Sequence, residues 1–392
     1  MIYKSSEDQL FNTITPYQSF ALIVSTIYGI GILTLPRTLA KSVGNDAVWV
    51  LLIAGILVWV LIYLNTRLIQ RFPKQTIVQF VPRILGSKRK KWIGLGLASP
   101  IFLVLAVAWM SGVSLETRMF AEAMNTGVLQ RTPLEVIIGV LLLTATIAAG
   151  AKPSVIARFN ELLLPLSFIP FLLIFFAVFQ RGEMTNLLPL FHQISWSTLW
   201  KSVLTAAYTF VGYEVILIFS AFYRKPDQAL KYHSTALGVV LFIYWGFLVA
   251  ALGIFTSNEV QHILWPGLEV VRVIESPTLI IEGLESGVLS LWVITVFTAI
   301  VNIYVALVQL IIQLFKIPDR HTWKVVGGLG VIAFLLAKWP ENIQMLLLLT
   351  HWYGFFSLII TFLIPILLLG ISIIRKLKGG SEHGSQASSS SM

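Results

Sequence analysis

The chain of 392 residues contains no cysteine. This absence excludes disulfide bonds, thiolate metal sites and a cysteine nucleophile. Charged residues are also scarce, because Asp, Glu, Lys and Arg together make up 12% of the sequence. A soluble domain carries roughly 25% of such residues. The composition therefore excludes an ordinary soluble domain.

Recognisable catalytic and cofactor motifs are also missing. The six histidines are scattered, and none belongs to an HExxH pattern or another metal-ligand spacing. No GxxxxGK[ST] phosphate loop occurs. The stretch GLGLAS at Gly94 resembles a dinucleotide-binding loop by letters only, because no strand precedes it. The sequence therefore predicts no enzyme, no cofactor and no metal site.

The chain is instead rich in apolar runs, and 57% of its residues are hydrophobic. Runs of about 20 apolar residues, each long enough to cross a bilayer as a helix, recur along the whole length. We predict an all-α integral membrane protein of ten transmembrane helices, at about residues 17–40, 46–69, 94–117, 134–151, 158–179, 200–222, 234–256, 286–315, 323–339 and 343–374.

The distribution of basic residues predicts the orientation of these helices. With the N-terminus in the cytoplasm, 20 of the 28 lysines and arginines fall in inner segments. The eight in outer segments are Arg37, Lys41, Arg118, Arg131, Arg181, Lys201, Arg272 and Lys338. Cytoplasmic loops carry an excess of Lys and Arg, so both termini are predicted to be cytoplasmic. The same excess accounts for the net charge of +10 without a nucleic-acid partner.

Two of the predicted helices contain glycines that interrupt them. The first contains IYGIGILTLPR, with Gly29 and Gly31, and a glycine costs about 1 kcal/mol relative to alanine in a helix interior. The sixth contains TFVGYEV, with Gly212 and Glu214. Gly29 and Gly212 lie 183 positions apart, each in the first helix of a five-helix half. The glycines are placed alike in the two halves.

Pro36 and Arg37 are read as ending the outer half of the first helix and anchoring it at the interface.

Matched interruptions of this kind are typical of secondary-transporter folds with inverted repeats. In such folds the broken helices expose backbone groups to a midplane cavity, since these groups cannot face lipid. We predict repeats at about 15–185 and 196–378 within one domain of residues 1–378, followed by a disordered Gly/Ser-rich tail at 379–392. The alternative is that the glycines only allow close helix packing.

Glu214 is the most informative single residue, because a charge near the bilayer centre costs about 2.5–3.5 kcal/mol and usually faces a cavity or a partner. Three roles remain open for it: binding a ligand amine, relaying a proton, or capping freed backbone N–H groups. Thr298 and Asn302 lie one turn apart on the eighth helix, where they line the cavity or bond neighbouring helices. Trp109 is either a cavity wall or part of the core.

Several stretches resemble a known family. They are GIGILTLPR, GNDAVWVLLIAG, LIQRFPKQTIVQF, RILG, AGAKPSVIARFNELLLP and TFVGYEV. Their order and spacing resemble the B subunits of endospore nutrient germinant receptors, the GerAB-like spore germination permeases of the amino acid–polyamine–organocation superfamily. The resemblance runs from about Thr15 to Lys378.

The resemblance implies a LeuT-like bundle of five plus five helices in the spore inner membrane, with helices 1 and 6 broken. It implies a nutrient sensor that acts with an A subunit, which has soluble domains, and a C subunit, a lipoprotein. The family's ligand site corresponds to Gly29, Gly31, the stretch Tyr208 to Gly212, and the Thr298 face of the eighth helix. Pocket side chains vary across the family.

We therefore predict a receptor subunit that binds a small nutrient, an amino acid, between the broken helices. The predicted ligand-binding residues are Tyr28, Gly29, Ile30, Gly31, Trp109, Tyr208, Phe210, Gly212, Glu214, Thr298 and Asn302. The alternatives are a proton- or sodium-coupled amino-acid transporter and a scaffold with a vestigial pocket. The predicted fifth helix has no lysine at its core, which argues against one style of proton coupling in the superfamily.

Overall fold

The computed structural model describes residues 12–29, 31–87, 91–191, 194–274 and 284–379. Within these ranges the regular elements are helices, and extended pairing is confined to a parallel bridge between Ile14 and Tyr223. The helices are α1 (Pro16–Ile27), α2 (Gly31–Val43), α3 (Ala47–Arg71), α4 (Ile77–Leu85), α5 (Lys91–Gly127), α6 (Leu134–Ala149), α7 (Pro153–Arg181), α8 (Trp196–Tyr208), α9 (Ile216–Phe219), α10 (Ala229–Val260), α11 (Pro266–Ile274), α12 (Leu284–Phe315), α13 (Thr322–Lys338) and α14 (Ile343–Ile374).

Each predicted transmembrane helix overlaps helical structure, with α1 and α2 together forming the first and α8 and α9 the sixth. Among the described residues, six helical stretches are long and apolar enough to cross a membrane. A seventh is added if α8 and the turns around α9, bent by 51°, count as one span. The six stretches are Gly31–Arg71, Trp92–Gly127, Pro153–Phe175, Pro226–Val260, Ser290–Phe315 and Ile343–Ile374. The count of ten remains a prediction.

The start of α1 is fixed by its own sequence. Pro16 occupies the first helical position, where a missing N–H is tolerated. Thr15 and Gln18 form a reciprocal capping box: the Gln18 N–H donates to Thr15 Oγ1 (3.2 Å) and the Thr15 N–H to Gln18 Oε1 (2.9 Å). Just before this cap, the Ile14 N–H donates to the Phe222 carbonyl (2.7 Å), so the start of the first broken helix is tied to the end of the second.

The expectation that Pro36 ends the outer half-helix is wrong, because α2 continues through it to Val43. Membrane helices tolerate an internal proline where neighbouring helices and local adjustments satisfy the freed carbonyl. Pro36 is buried among such neighbours. Arg37 is half-buried and its Nε donates to the Gln261 carbonyl at 3.4 Å, so it contacts the end of α10.

Helix α5 extends well beyond its predicted end. The apolar run predicts a helix to about residue 117, but α5 continues to Gly127. Within the extension, Arg118 is 7% exposed and forms an i,i+4 ion pair with Glu122, with Nη2 and Oε1 2.8 Å apart. The Arg118 Nη1 also donates to the Ala337 carbonyl (3.3 Å). These partners let a charged turn remain helical against α13, and they place Glu116 inside the helix rather than at its end.

Candidate functional site

The two helix breaks approach each other at Gly31. This residue is the first of α2, and a Cβ atom there would lie 2.6 Å from the Thr209 carbonyl oxygen and 2.8 Å from the Tyr244 hydroxyl. Contacts below 3.0 Å are essentially never made by real Cβ atoms. Gly31 is therefore required for the start of α2 to lie against the end of α8. The two interruptions predicted from the glycine pattern are present and are in contact.

Gly212 makes the second break possible. Its φ of +119° lies in the left-handed region that favours glycine. A Cβ at this position would lie 3.1 Å from Thr26 Cγ2, so side-chain space against α1 is also limited. The chain turns here from α8 into a short 3₁₀ segment, Tyr213–Val215, which leads into α9. The sequence TFVGYEV therefore breaks the helix at its glycine, as predicted.

Glu214 caps the backbone at this break. The residue is 2% exposed, and its Oε2 accepts a hydrogen bond from the Gly212 N–H at 2.8 Å. Of the three roles left open by the sequence, the backbone cap is the one with an observed bond. Trp109 is fully buried in α5 and lies beside this carboxylate.

Tyr244 of α10 is a residue that sequence reasoning missed. It is fully buried, and its hydroxyl donates to the Ile27 carbonyl (2.6 Å), which the end of α1 leaves free, and lies 3.4 Å from the Thr209 carbonyl. Its ring centroid lies 4.9 Å from that of Phe210 and 6.5 Å from that of Tyr28. One tyrosine thus holds both breaks together, and two of the predicted residues pack around it.

We expect Tyr244→Phe to lower the thermal stability of the protein. Removing the hydroxyl leaves the buried Ile27 carbonyl without its partner, and an unsatisfied buried acceptor costs about 1–3 kcal/mol. The measurement is the midpoint of thermal unfolding in detergent, with Tyr17→Phe as the control because Tyr17 is 48% exposed. Equal midpoints for the two variants would contradict the bridging role.

A partly enclosed cavity lies between the two breaks. The space open to the centre of a water molecule is about 60 Å³. Four helical regions contribute to its wall: the first broken helix, α5, the end of α8 with the residues after it, and α14. The lining residues are Ile27, Gly31, Thr34, Leu115, Glu116, Met119, Tyr208, Thr209, Val211, Thr350, Tyr353 and Gly354.

Glu116 is the second residue that sequence reasoning missed, and it is the charged member of this lining. Its Oε2 is buried and has no hydrogen-bond partner among the described residues. The signal was visible, since SLETR places a carboxylate after a long apolar run. The predicted helix end near residue 117 would place it at the membrane interface instead of inside the helix.

The structure places the predicted site residues in different surroundings. Gly31 and Tyr208 line the cavity, whereas Tyr28, Phe210 and Gly212 lie immediately around the breaks. Gly29 packs against α12, where a Cβ would lie 2.8 Å from Ala299 Cβ. Ile30 lies outside the described residues. Trp109, Glu214, Thr298 and Asn302 are buried away from the cavity lining.

Asn302 belongs to a separate buried amide network. Its Oδ1 accepts from Asn160 Nδ2 (2.7 Å), and its Nδ2 lies 3.0 Å from Asn160 Oδ1 and donates to Thr26 Oγ1 (2.9 Å). Both asparagines are fully buried. Thr298, one turn earlier, bonds the Thr295 carbonyl of its own helix (2.8 Å). The network ties α7 and α12 to α1, so the interhelical alternative is the one observed for Asn302.

Within the described residues no group of three or more His, Asp or Glu side chains is arranged to hold a metal ion. The polar groups of the cavity are instead a carboxylate, hydroxyls and the ends of broken helices. A helix N-terminus carries partial positive charge and a C-terminus partial negative charge. The start of α2 and the end of α8 therefore place partial charges of opposite sign at the cavity wall. This arrangement suits a small dipolar molecule.

Comparison with known proteins identifies relatives along almost the whole chain. Residues 13–346 match the model of the spore permease family, described as spore germination protein. The chain is 30% identical over 366 residues to spore germination protein YndE of Bacillus subtilis, covering 93% of this chain and 97% of that protein.

Solved structures give the fold. A structure of MhsT in complex with L-phenylalanine superposes with a TM-score of 0.62 at 15% identity, over 91% of this chain and 97% of that one. A substrate-bound Na⁺-coupled sialic acid symporter gives 0.64 at 12% identity, over 95% and 81%. Both have the LeuT fold, which fits the two broken helices. On the family match and the relative of similar length, this chain belongs to the spore permease family of spore germination proteins.

Proposed function

We propose that this protein is the nutrient-sensing B-type subunit of a spore germinant receptor, and that it binds a small nutrient, an amino acid, in the cavity between its two broken helices. The observation that carries the proposal is the meeting of both breaks at one cavity that also contains a carboxylate, with Gly31 against Thr209. Discontinuous helices that meet near the midplane form the substrate sites of transporter folds.

The start of α2 is the natural site for a carboxylate. The first N–H groups of a helix have no partner within it, and helix N-termini bind anions through these groups and the helix dipole. Gly31 lines the cavity and has no side chain of its own to cover its backbone N–H. An amino acid would therefore be oriented with its carboxylate toward α2 and its remaining atoms toward α5 and α14.

The size of the cavity limits the ligand. One water needs about 10–15 Å³ of space measured at its centre, so about 60 Å³ holds about four to six water-sized groups. That matches an amino acid with a small side chain. MhsT was solved with L-phenylalanine, but an aromatic side chain needs more space than the cavity of about 60 Å³ found here. We infer a preference for small amino acids.

Signalling follows from the same geometry. A ligand that touches both broken helices favours the arrangement in which they lie together, and it shifts the population of states by its difference in affinity. We propose that this bias passes to the A and C subunits of the receptor in the spore inner membrane. The ten spans, cytoplasmic termini and inverted repeats predicted from the sequence belong to the same proposal.

A proton- or sodium-coupled amino-acid transporter is the second candidate, favoured by the similarity of the fold to a Na⁺-coupled symporter. The two candidates differ in what happens after binding. A transporter accumulates its substrate inside vesicles on its own, whereas a receptor subunit binds it and responds only with its partners.

The experiment reconstitutes the purified chain into proteoliposomes and supplies radiolabelled standard amino acids one at a time. We expect saturable binding of a small amino acid without accumulation under a sodium or proton gradient. Spores that carry this chain without A and C subunits should not germinate with that amino acid. Gradient-driven accumulation would establish the transporter, and a lack of binding by every amino acid would overturn the nutrient site.

A further inference from the structure

Glu116 has an unused acceptor that faces the proposed nutrient site. It is the charged residue among the cavity-lining side chains, and its Oε2 is buried with no hydrogen-bond partner in the described part of the chain. A buried carboxylate without a partner is costly unless it is neutralised or paired with a cation. A hydrogen-bond donor or a positive charge at this wall of the cavity would satisfy the Glu116 carboxylate.

The nearest basic residue on the same helix is already committed. Arg118, two positions further along α5, pairs with Glu122 (2.8 Å) and bonds the Ala337 carbonyl (3.3 Å). Arg37, on α2, donates to the Gln261 carbonyl. Neither arginine is a cavity-lining residue. No other described residue of the cavity lining carries a charge, so the cationic group of a bound ligand is a partner that fits Glu116.

A second carboxylate adds negative charge near Glu116. The Glu214 carboxylate lies close enough to Glu116 to interact with it electrostatically. The start of α2 at Gly31, which lines the same cavity, carries partial positive charge. The cavity wall therefore carries a negative group at Glu116 and a positive helix end at Gly31.

We propose that Glu116 binds the protonated amine of the nutrient and makes the site specific for molecules that carry one. This inference rests on the proposed function and adds the residue that selects the ligand class. In it the ligand carboxylate lies at the start of α2 and its ammonium group at Glu116. Glu214 stays with the Gly212 N–H and does not contact the ligand.

The test compares amino acids with the same acids lacking the amine. The probes are L-alanine with propionate and L-valine with isovalerate, and the readout is equilibrium binding to the purified chain in sodium chloride and in potassium chloride. Wild type should bind at least one of the two amino acids at least about 30-fold more tightly than its desamino partner. Glu116→Gln should lose most of that preference, to within about threefold, while Glu116→Asp should keep part of it.

The matched control is Glu135→Gln, because Glu135 is exposed at the start of α6 and should leave binding unchanged. Thermal unfolding of each variant shows whether it is folded.

An unchanged preference for the amine in Glu116→Gln, with wild-type binding intact, overturns this inference and leaves the proposed function standing. A second result also overturns it: wild-type binding requires sodium, and Glu116→Gln loses that requirement. Glu116 would then bind the sodium ion and not the amine of the ligand. A wild-type chain that binds neither amino acid more tightly than its desamino partner overturns the inference as well. A wild-type chain that binds none of the standard amino acids overturns both proposals.

Discussion

A Gly31→Leu variant is expected to bind the nutrient at least about 100-fold more weakly than wild type. A Cβ at this position meets the Thr209 carbonyl at 2.6 Å and the Tyr244 hydroxyl at 2.8 Å. The backbone of α2 must therefore move away from α8, and the added carbons fill a cavity of about 60 Å³. A 100-fold loss corresponds to about 2.7 kcal/mol of binding free energy. Equilibrium binding of the radiolabelled amino acid bound by wild type measures it.

The matched control is Gly96→Leu, because a Cβ at Gly96 of α5 would meet nothing within 4 Å. It adds the same side chain to a membrane helix without touching either break. Where Gly31→Leu fails to assemble, Thr34→Met provides the second variant, since Thr34 lines the same cavity. A folded Thr34→Met or Gly31→Leu protein with wild-type affinity would contradict the position of the site.

We expect Glu214→Gln to keep the stability and nutrient binding of wild type, and Glu214→Leu to lower both. Glutamine keeps a side-chain oxygen that accepts from the Gly212 N–H, now bonded to Glu214 Oε2 at 2.8 Å. Leucine removes the acceptor and leaves a buried N–H unpaired, which costs about 1–3 kcal/mol. Glu214→Leu should therefore lower the thermal unfolding midpoint and reduce nutrient binding together, whereas Glu214→Gln should stay close to wild type in both.

This pair of variants separates the roles that the sequence left open for Glu214. A proton relay or a binding site for a ligand amine needs a carboxylate, so either role would make Glu214→Gln as defective as Glu214→Leu. A backbone cap needs only an acceptor. The contrast with Glu116, where glutamine is expected to abolish selection of the amine, tells the two carboxylates apart in one set of measurements.

The breaks could be predicted from the sequence because their cause is local. Glycines inside apolar runs weaken a helix wherever they occur, and Gly29, Gly31 and Gly212 do so at matched positions in the two halves. The N-terminal cap of α1 is equally local, since Thr15, Pro16 and Gln18 lie within one turn. Local signals of this kind depend little on the tertiary fold.

The contacts around the breaks could not be predicted, because their partners are distant in the chain. Tyr244 bonds the carbonyl of Ile27, 217 positions away, and in the sequence it is one aromatic residue in an apolar run. For Asn302 the sequence left cavity lining and interhelical bonding open, and only the structure shows that its amide is satisfied by Asn160 and Thr26. Glu116 was visible as a charge, but only the full length of α5 places it inside the helix.

Occupancy of the cavity between the two broken helices can be measured directly, because the protein contains no cysteine. Thr350→Cys places a single thiol on the α14 wall of that cavity, and Gly96→Cys places one in open space on α5. The measurement is the rate at which a methanethiosulfonate reagent modifies each thiol, with and without the amino acid that wild type binds.

We expect this amino acid to slow modification of Thr350→Cys in proportion to its occupancy and to leave modification of Gly96→Cys unchanged. Saturating binding of the amino acid with no change in the rate at Thr350→Cys would contradict it.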